Sequence, residues 1–191
     1  MLYLASASPR RRELLELLGV EFAVRPMDIP ETPAHGETPQ DYVQRLAREK
    51  AEACAAAVVA EGDDEQWAVL GADTIVVAGD HILEKPRDFV DYQQMMKQLS
   101  GRSHSVYTAV NVTTATASKT VLVPSEVRFR ELTDEDIARY WNTGEPVDKA
   151  GGYGIQGPAG AFVAHLNGSF FAVMGLPLYE TDQLLREFWR S

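Results

Sequence analysis

Short apolar runs alternate along the chain with stretches in which apolar residues return every three or four positions. Leu2-Tyr3-Leu4-Ala5 reads as a buried strand, and Ser8-Pro9 as the start of a helix with its stripe on Leu14, Leu15, Leu17 and Leu18 and its exit at Gly19. Residues 25–38 carry three prolines among acidic and small residues and predict a loop. Thr38-Pro39 repeats the cap-plus-proline start, ahead of a helical face on Tyr42, Val43, Leu46, Ala47 and Ala51 that runs to the break at Gly62-Asp63-Asp64. Trp67 to Leu70, Thr74 to Ala78 and His81 to Leu83 read as three strands, the last two joined by a tight turn at Gly79-Asp80. Between the first two stands Asp73, a charge that is costly to bury without a partner.

Further along, Asp88 caps a helix through Leu99 whose stripe is Phe89, Tyr92, Met96 and Leu99, a pattern of core packing. Two longer strands are predicted between Ser103 and Thr114 and between Thr120 and Phe129, then an acidic helix start at Thr133-Asp134-Glu135-Asp136 leading to Tyr140 and Trp141. The run from Asp148 to Gly157 is dense in glycine, which permits close backbone approach to a ligand. Ala161 to Val173 reads as a hairpin turning at Asn167-Gly168, and Pro177 opens a last helix with apolar contacts at Leu184, Leu185 and Phe188. Early strand and helix alternation predicts a mixed α/β fold, and the later hairpins argue against an all-parallel sheet. With 191 residues and no internal repeat, the chain reads as one domain whose lobes share a sheet.

Composition narrows the chemistry. Eighteen basic against 28 acidic side chains give a formal charge of -10, which excludes a protein-wide basic footprint for nucleic acid and requires any anionic substrate to meet local positive charge. A single cysteine, Cys54, excludes an intramolecular disulfide and a four-cysteine zinc site, and His35, His81, His104 and His165 lack zinc-ligand spacing. Neither a charged leader followed by an apolar core nor a membrane-length apolar stretch is present, so a soluble cytoplasmic protein is expected. The P-loop and the Gly-x-Ser-x-Gly nucleophile elbow are missing.

What remains is a distributed set: Arg10 and Arg11 at a helix mouth, Glu31 in a loop, Lys50 on a helix, Asp73 beside a strand, Lys85 after a strand and Gln156 in the glycine loop. Gathered in one cleft, the acidic oxygens suit a hard divalent cation and the basic groups a phosphate chain, while the Gln156 amide suits the edge of a base. Read singly, Arg45, Arg48 and Lys50 are better explained as a solvated helix face.

At these positions the sequence resembles the Maf family of nucleoside triphosphate pyrophosphatases. The resemblance rests on residues 4–11 (LASASPRR), 45–51 (RLAREKA), 71–74 (GADT), 84–88 (EKPRD) and 148–157 (DKAGGYGIQG), which follow the family order over almost the whole chain. It implies a Maf/ITPase-like fold: a mixed, mostly antiparallel sheet flanked by helices, with two lobes of one domain over residues 1–191 enclosing an active-site cleft. The implied reaction is hydrolysis between the alpha and beta phosphates to a nucleoside monophosphate and pyrophosphate. Asp73 would be the catalytic proton acceptor, Arg11, Lys50 and Lys85 would bind phosphate, and Arg10, Thr74 and Gln156 would select the substrate. Glu31 and Asp73 would hold a divalent metal, Mg or Mn. The Ala-Asp-Thr and Ile-Gln-Gly forms resemble the branch acting on dTTP and UTP rather than the 7-methyl-GTP branch. Gly152 departs from an alanine frequent in relatives, a change expected to loosen the loop. A homodimer is also implied, with no nucleic acid or membrane partner. Pyrophosphatase action on modified or noncanonical nucleotides, unspecific phosphate hydrolysis, and a division-regulating protein acting through protein contacts remain alternatives.

Overall fold

The computed structural model describes residues 1–62 and 66–189. The elements in chain order are β1 (Leu2–Leu4), α1 (Pro9–Glu16), β2 (Ala23–Val24), α2 (Pro39–Ala60), β3 (Ala68–Ala78), β4 (His81–Leu83), α3 (Phe89–Leu99), β5 (Ser103–Thr114), β6 (Ser118–Phe129), α4 (Asp134–Trp141), β7 (Val163–Asn167), α5 (Phe170–Met174) and α6 (Leu178–Phe188). Among the described residues, seven strands form one sheet in the order β2-β1-β3-β5-β6-β7, with β4 beside β3. β1 runs parallel to β2 and to β3, whereas β4 on β3 and β7 on β6 are antiparallel. The three-residue link between β5 and β6, closed by Thr114 N–H on the Ala117 carbonyl at 2.8 Å, joins antiparallel neighbours. The fold is therefore a mixed α/β sheet flanked by helices. Among the described residues, no helix is long and apolar enough to cross a membrane.

The chain divides into two compact units, Met1–Asp73, Thr108–Val123 and Gly175–Ser191 in the first, Thr74–Tyr107 and Pro124–Met174 in the second. In the first unit, β1 and the start of β3 bury Leu2, Leu4, Val69 and Leu70 completely. α2 covers them: Thr38 caps its start by accepting the Asp41 N–H, Pro39 takes the first position, and the buried face includes Tyr42, Val43, Leu46, Ala47, Ala51, Cys54 and Val58. The small Ala51, Cys54 and Ala55 pack with Ala5, Val58, Trp67 and Val69 and let helix and sheet approach closely.

In the second unit, α3 and α4 close a core around Tyr92, Met96, Leu99, Phe129, Tyr140, Tyr153 and Phe162. Asp88 caps α3 through the Asp91 N–H. A capping box between Thr133 and Asp136 starts α4, and Arg130 and Arg139 each reach the same Asp136 carboxylate at 2.8 Å.

Several expectations change. The strands predicted either side of Asp73 are one, β3, buried along nearly its whole length, because a partner described below neutralises the charge that looked like a break. The predicted hairpin over Ala161 to Val173 does not form: β7 pairs with β6, and Gly168 turns the chain into α5. That turn is fixed by tight packing, since a Cβ on Gly168 would lie 2.5 Å from Ser125 Oγ, which also accepts the Ser169 N–H at 3.2 Å. α1 stops at Glu16, ahead of Gly19, leaving Leu17 67% exposed while Leu14 and Leu15 are buried. β2, only two residues long, carries no sequence period from which to read it. Asp63 and Asp64, expected to end α2, lie outside the described residues.

Candidate active site

Helix α2 meets strand β3 at Gly71, and this crossing builds the centre of the site. A Cβ on Gly71 would lie 2.2 Å from the Ala47 carbonyl oxygen and 2.8 Å from Ala51 N, so only glycine admits the helix backbone here. Asp73, two residues on, faces the same side of the strand. Lys50, next to Ala51, is carried straight to it, with Nζ 2.7 Å from Asp73 Oδ1. Both side chains are nearly buried, 11% and 10% exposed, and a lone charge at either position would be costly. Glu31 supplies a second carboxylate, its Oε1 2.7 Å from the same ammonium, from a side chain 49% exposed.

Glu31 lies in the loop over residues 25–38, which is held by Arg45 on α2. The Arg45 guanidinium donates to the Thr32 carbonyl at 3.0 Å and to both Glu37 carboxylate oxygens at 2.7 and 2.8 Å. Glu37 also accepts the Ala34 N–H at 2.8 Å, and the Arg45 hydrogen bonds hold its carboxyl down at about 2, well below its ordinary range. By sequence alone Arg45 reads as a solvated helix charge within the 45–51 motif. Its partners eight and thirteen residues upstream follow no helical spacing, so nothing in the sequence pointed to them.

The mouth of α1 adds the arginines. Ser8 caps the helix through the Arg11 N–H, and the buried Ser6 Oγ accepts both the Ser8 N–H and Arg11 Nη1, each at 3.2 Å. Arg11 Nε donates to the Gly175 carbonyl at 2.9 Å, which fixes the guanidinium plane. Burial holds Arg11 below its ordinary pKa; Asp73 and Glu31 pull it back up and Arg10 pushes it further down, which places these four charges in one electrostatic neighbourhood. The first unit thus gathers Arg10, Arg11, Glu31, Lys50 and Asp73. Ser6, given no role of its own within the 4–11 motif, holds Arg11 in that arrangement.

The second unit carries the other three. Thr74 follows Asp73 on β3 and is partly buried. Lys85 is exposed just after β4, on the wall of a cavity of about 470 Å³ that also takes in His81, Leu83, Arg87, Asp91 and Met95. Gln156 is exposed at the end of the glycine loop. In that loop Gly151 and Gly152 have φ of 66° and 71°, and a Cβ on Gly152 would press on the Tyr92 ring at 2.9 Å. Glycine at 152 therefore seats the loop on Tyr92, a close approach that replaces the loosening expected from sequence.

Among the described residues, no group of three or more His, Cys, Asp or Glu side chains is placed to hold a metal ion. Two carboxylates do converge on one cation, the Lys50 ammonium. That donor set fits Mg²⁺ or Mn²⁺, hard ions that need only one or two protein carboxylates when substrate phosphates and water complete the shell.

The dTTP/UTP pyrophosphatase of Vibrio cholerae serotype O1 is 52% identical over 187 residues, covering 98% of this chain and 97% of that protein. A dTTP/UTP pyrophosphatase of Hahella chejuensis is 52% identical over 187 residues (98% and 92%), and one of Pseudoalteromonas translucida 51% over 189 residues (99% and 97%). The family model described as Maf-like protein matches residues 1–188, which include every residue assembled above, and the chain belongs to the Maf family.

Proposed function

We propose that this protein is a nucleoside triphosphate pyrophosphatase that cleaves dTTP and UTP between the alpha and beta phosphates, releasing the nucleoside monophosphate and pyrophosphate. The observation that carries this reading is the buried Asp73 carboxylate sharing one ammonium with Glu31 at 2.7 Å each, within the electrostatic reach of Arg11. The similarity to dTTP/UTP pyrophosphatases over nearly the full chain supports the choice of substrate.

The triphosphate is held by Arg11, Lys50 and Lys85, with Arg11 oriented in advance by Ser6 and the Gly175 carbonyl. When the phosphates arrive, Lys50 turns to them and releases the oxygens of Asp73 and Glu31. Asp73 then accepts the proton of the attacking water, which adds to the alpha phosphorus as the pyrophosphate leaves. Glu31 and Asp73 are the residues that would hold Mg or Mn, and the bound ion supplies Lewis-acid neutralisation of charge on the phosphate oxygens. Arg10, Thr74 and Gln156 select the nucleotide, with the Gln156 amide able to donate and accept on a base edge. In this reading the two units are lobes of a single domain over residues 1–191 with the substrate bound in a cleft, and the protein acts in the cytoplasm as a homodimer without nucleic acid or membrane partners.

The test is a metal-supplemented hydrolysis panel of dTTP, UTP, CTP and 7-methyl-GTP with pyrophosphate and orthophosphate resolved. Selective release of pyrophosphate from dTTP and UTP is expected, whereas orthophosphate as the product overturns the reading. Asp73→Asn keeps the shape and removes the base, and its turnover is expected to fall by roughly 10²–10⁴-fold. Wild-type turnover in a folded Asp73→Asn protein refutes the assignment.

A further inference from the structure

The loop that ends in Gln156 is rich in glycine and so has few side chains to anchor it, yet residues 151–155 are buried and Gln156, the next residue, emerges into solvent. Two hydrogen bonds inside the second unit hold it immediately upstream. The Gly154 N–H donates to the Tyr140 hydroxyl at 3.0 Å, and the Tyr153 hydroxyl is 2.8 Å from His104 Nε2.

Both anchors are rigid. Tyr140 comes from α4, and its buried hydroxyl, near the Glu145 carboxylate, accepts the Gly154 N–H. The Glu145 carboxylate in turn fills the space where a Cβ on Gly157 would stand, so the residue after Gln156 is pressed against the same group. His104 comes from β5 and packs edge-on against Phe129 at 5.1 Å, while Tyr153 meets that ring edge-on at 4.8 Å. Gln156 is thereby bracketed: tied at 153 and 154 and stopped at 157.

We infer that Tyr140 and His104 are positioning residues for substrate selection, which set the place of Gln156 by fixing Gly154 and Tyr153. Neither touches the nucleotide; each acts through the loop. The inference rests on the reading of Gln156 as the base-selecting residue, and the experiment separates the two.

Steady-state kinetics with dTTP, UTP and CTP are measured for the wild type and for Tyr140→Phe, Tyr153→Phe, His104→Leu, His104→Gln and Gln156→Ala, each first checked by thermal melting. Removing a hydroxyl or the imidazole leaves a buried polar group unpaired, so the preference for dTTP over CTP is expected to shrink by roughly tenfold in Tyr140→Phe, Tyr153→Phe and His104→Leu, chiefly through KM for dTTP. His104→Gln keeps an amide for the Tyr153 hydroxyl and is expected to restore most of the preference. If Gln156→Ala changes the preference and the two tyrosine variants slow all three nucleotides by one common factor, the positioning role is wrong and the Gln156 reading stands. If Gln156→Ala leaves the preference intact, that reading fails and this inference fails with it.

Discussion

Lys50 is the residue on which the electrostatics of the site turn, because it is the shared partner of Asp73 and Glu31. Lys50→Met keeps the length of the side chain and strands Asp73 as a buried carboxylate, which is expected to cost about 3 kcal/mol in urea unfolding. A loss below about 1 kcal/mol would mean that Asp73 is neutralised some other way. His104 governs a different dependence. Burial pushes its pKa down to about 4, so the folded protein keeps it neutral while the unfolded chain protonates it near 6.5. Its contribution to stability is fully present above pH 6.5 and is lost as the pH falls toward 4. Urea midpoints measured between pH 7 and pH 4.5 are expected to fall more steeply in the wild type than in His104→Leu, and parallel slopes would exclude His104 as the source.

At the scale of elements, the crossing of α2 over β3 decides whether a charged helix residue and a charged strand residue meet. Gly71→Ala forces a methyl group against the Ala47 carbonyl, and the helix must lift. Overpacking of this kind is expected to cost about 2 kcal/mol or more, lowering the melting temperature and, by parting Lys50 from Asp73, turnover as well. Wild-type melting together with wild-type turnover in this variant would show that the crossing has room the structure does not display. The loop carrying Glu31 works differently, since three short hydrogen bonds from Arg45 hold it. A loop fixed by side-chain charge has no periodic pattern, so Glu31 stands out in the sequence only as one of the scattered charges and through family resemblance, and the bonds by which Arg45 anchors it leave no mark there.

For the molecule as a whole, a net charge of -10 coexists with a site that must attract a polyanion. In the proposed function, Arg10, Arg11, Lys50 and Lys85 would supply that attraction locally. Duplex DNA, which needs a broad basic face, is expected to show no mobility shift with this protein at physiological salt. Chelation with EDTA is expected to abolish pyrophosphate release and added Mn²⁺ to restore it; full activity after exhaustive chelation would remove Glu31 and Asp73 from the metal role.

The sequence alone determined the features that depend on neighbours along the chain. The capped starts of α1, α2, α3 and α4 follow from Ser8, Thr38, Asp88 and Thr133. The β3–β4 turn at Gly79-Asp80 and the presence of strands β5 and β6 were likewise legible, although β6 starts two residues earlier than read, as was the mixed α/β class. Tertiary structure decided what depends on distant neighbours. Asp73 resembled a strand break until Lys50, 23 residues upstream, was seen to neutralise it. Asn167-Gly168 carries the composition of a hairpin turn, but its outcome was set by Ser125. Arg45, Ser6, Tyr140 and His104 look ordinary in the sequence because their roles lie in hydrogen bonds formed only after the chain packs, and local propensity holds no record of such bonds.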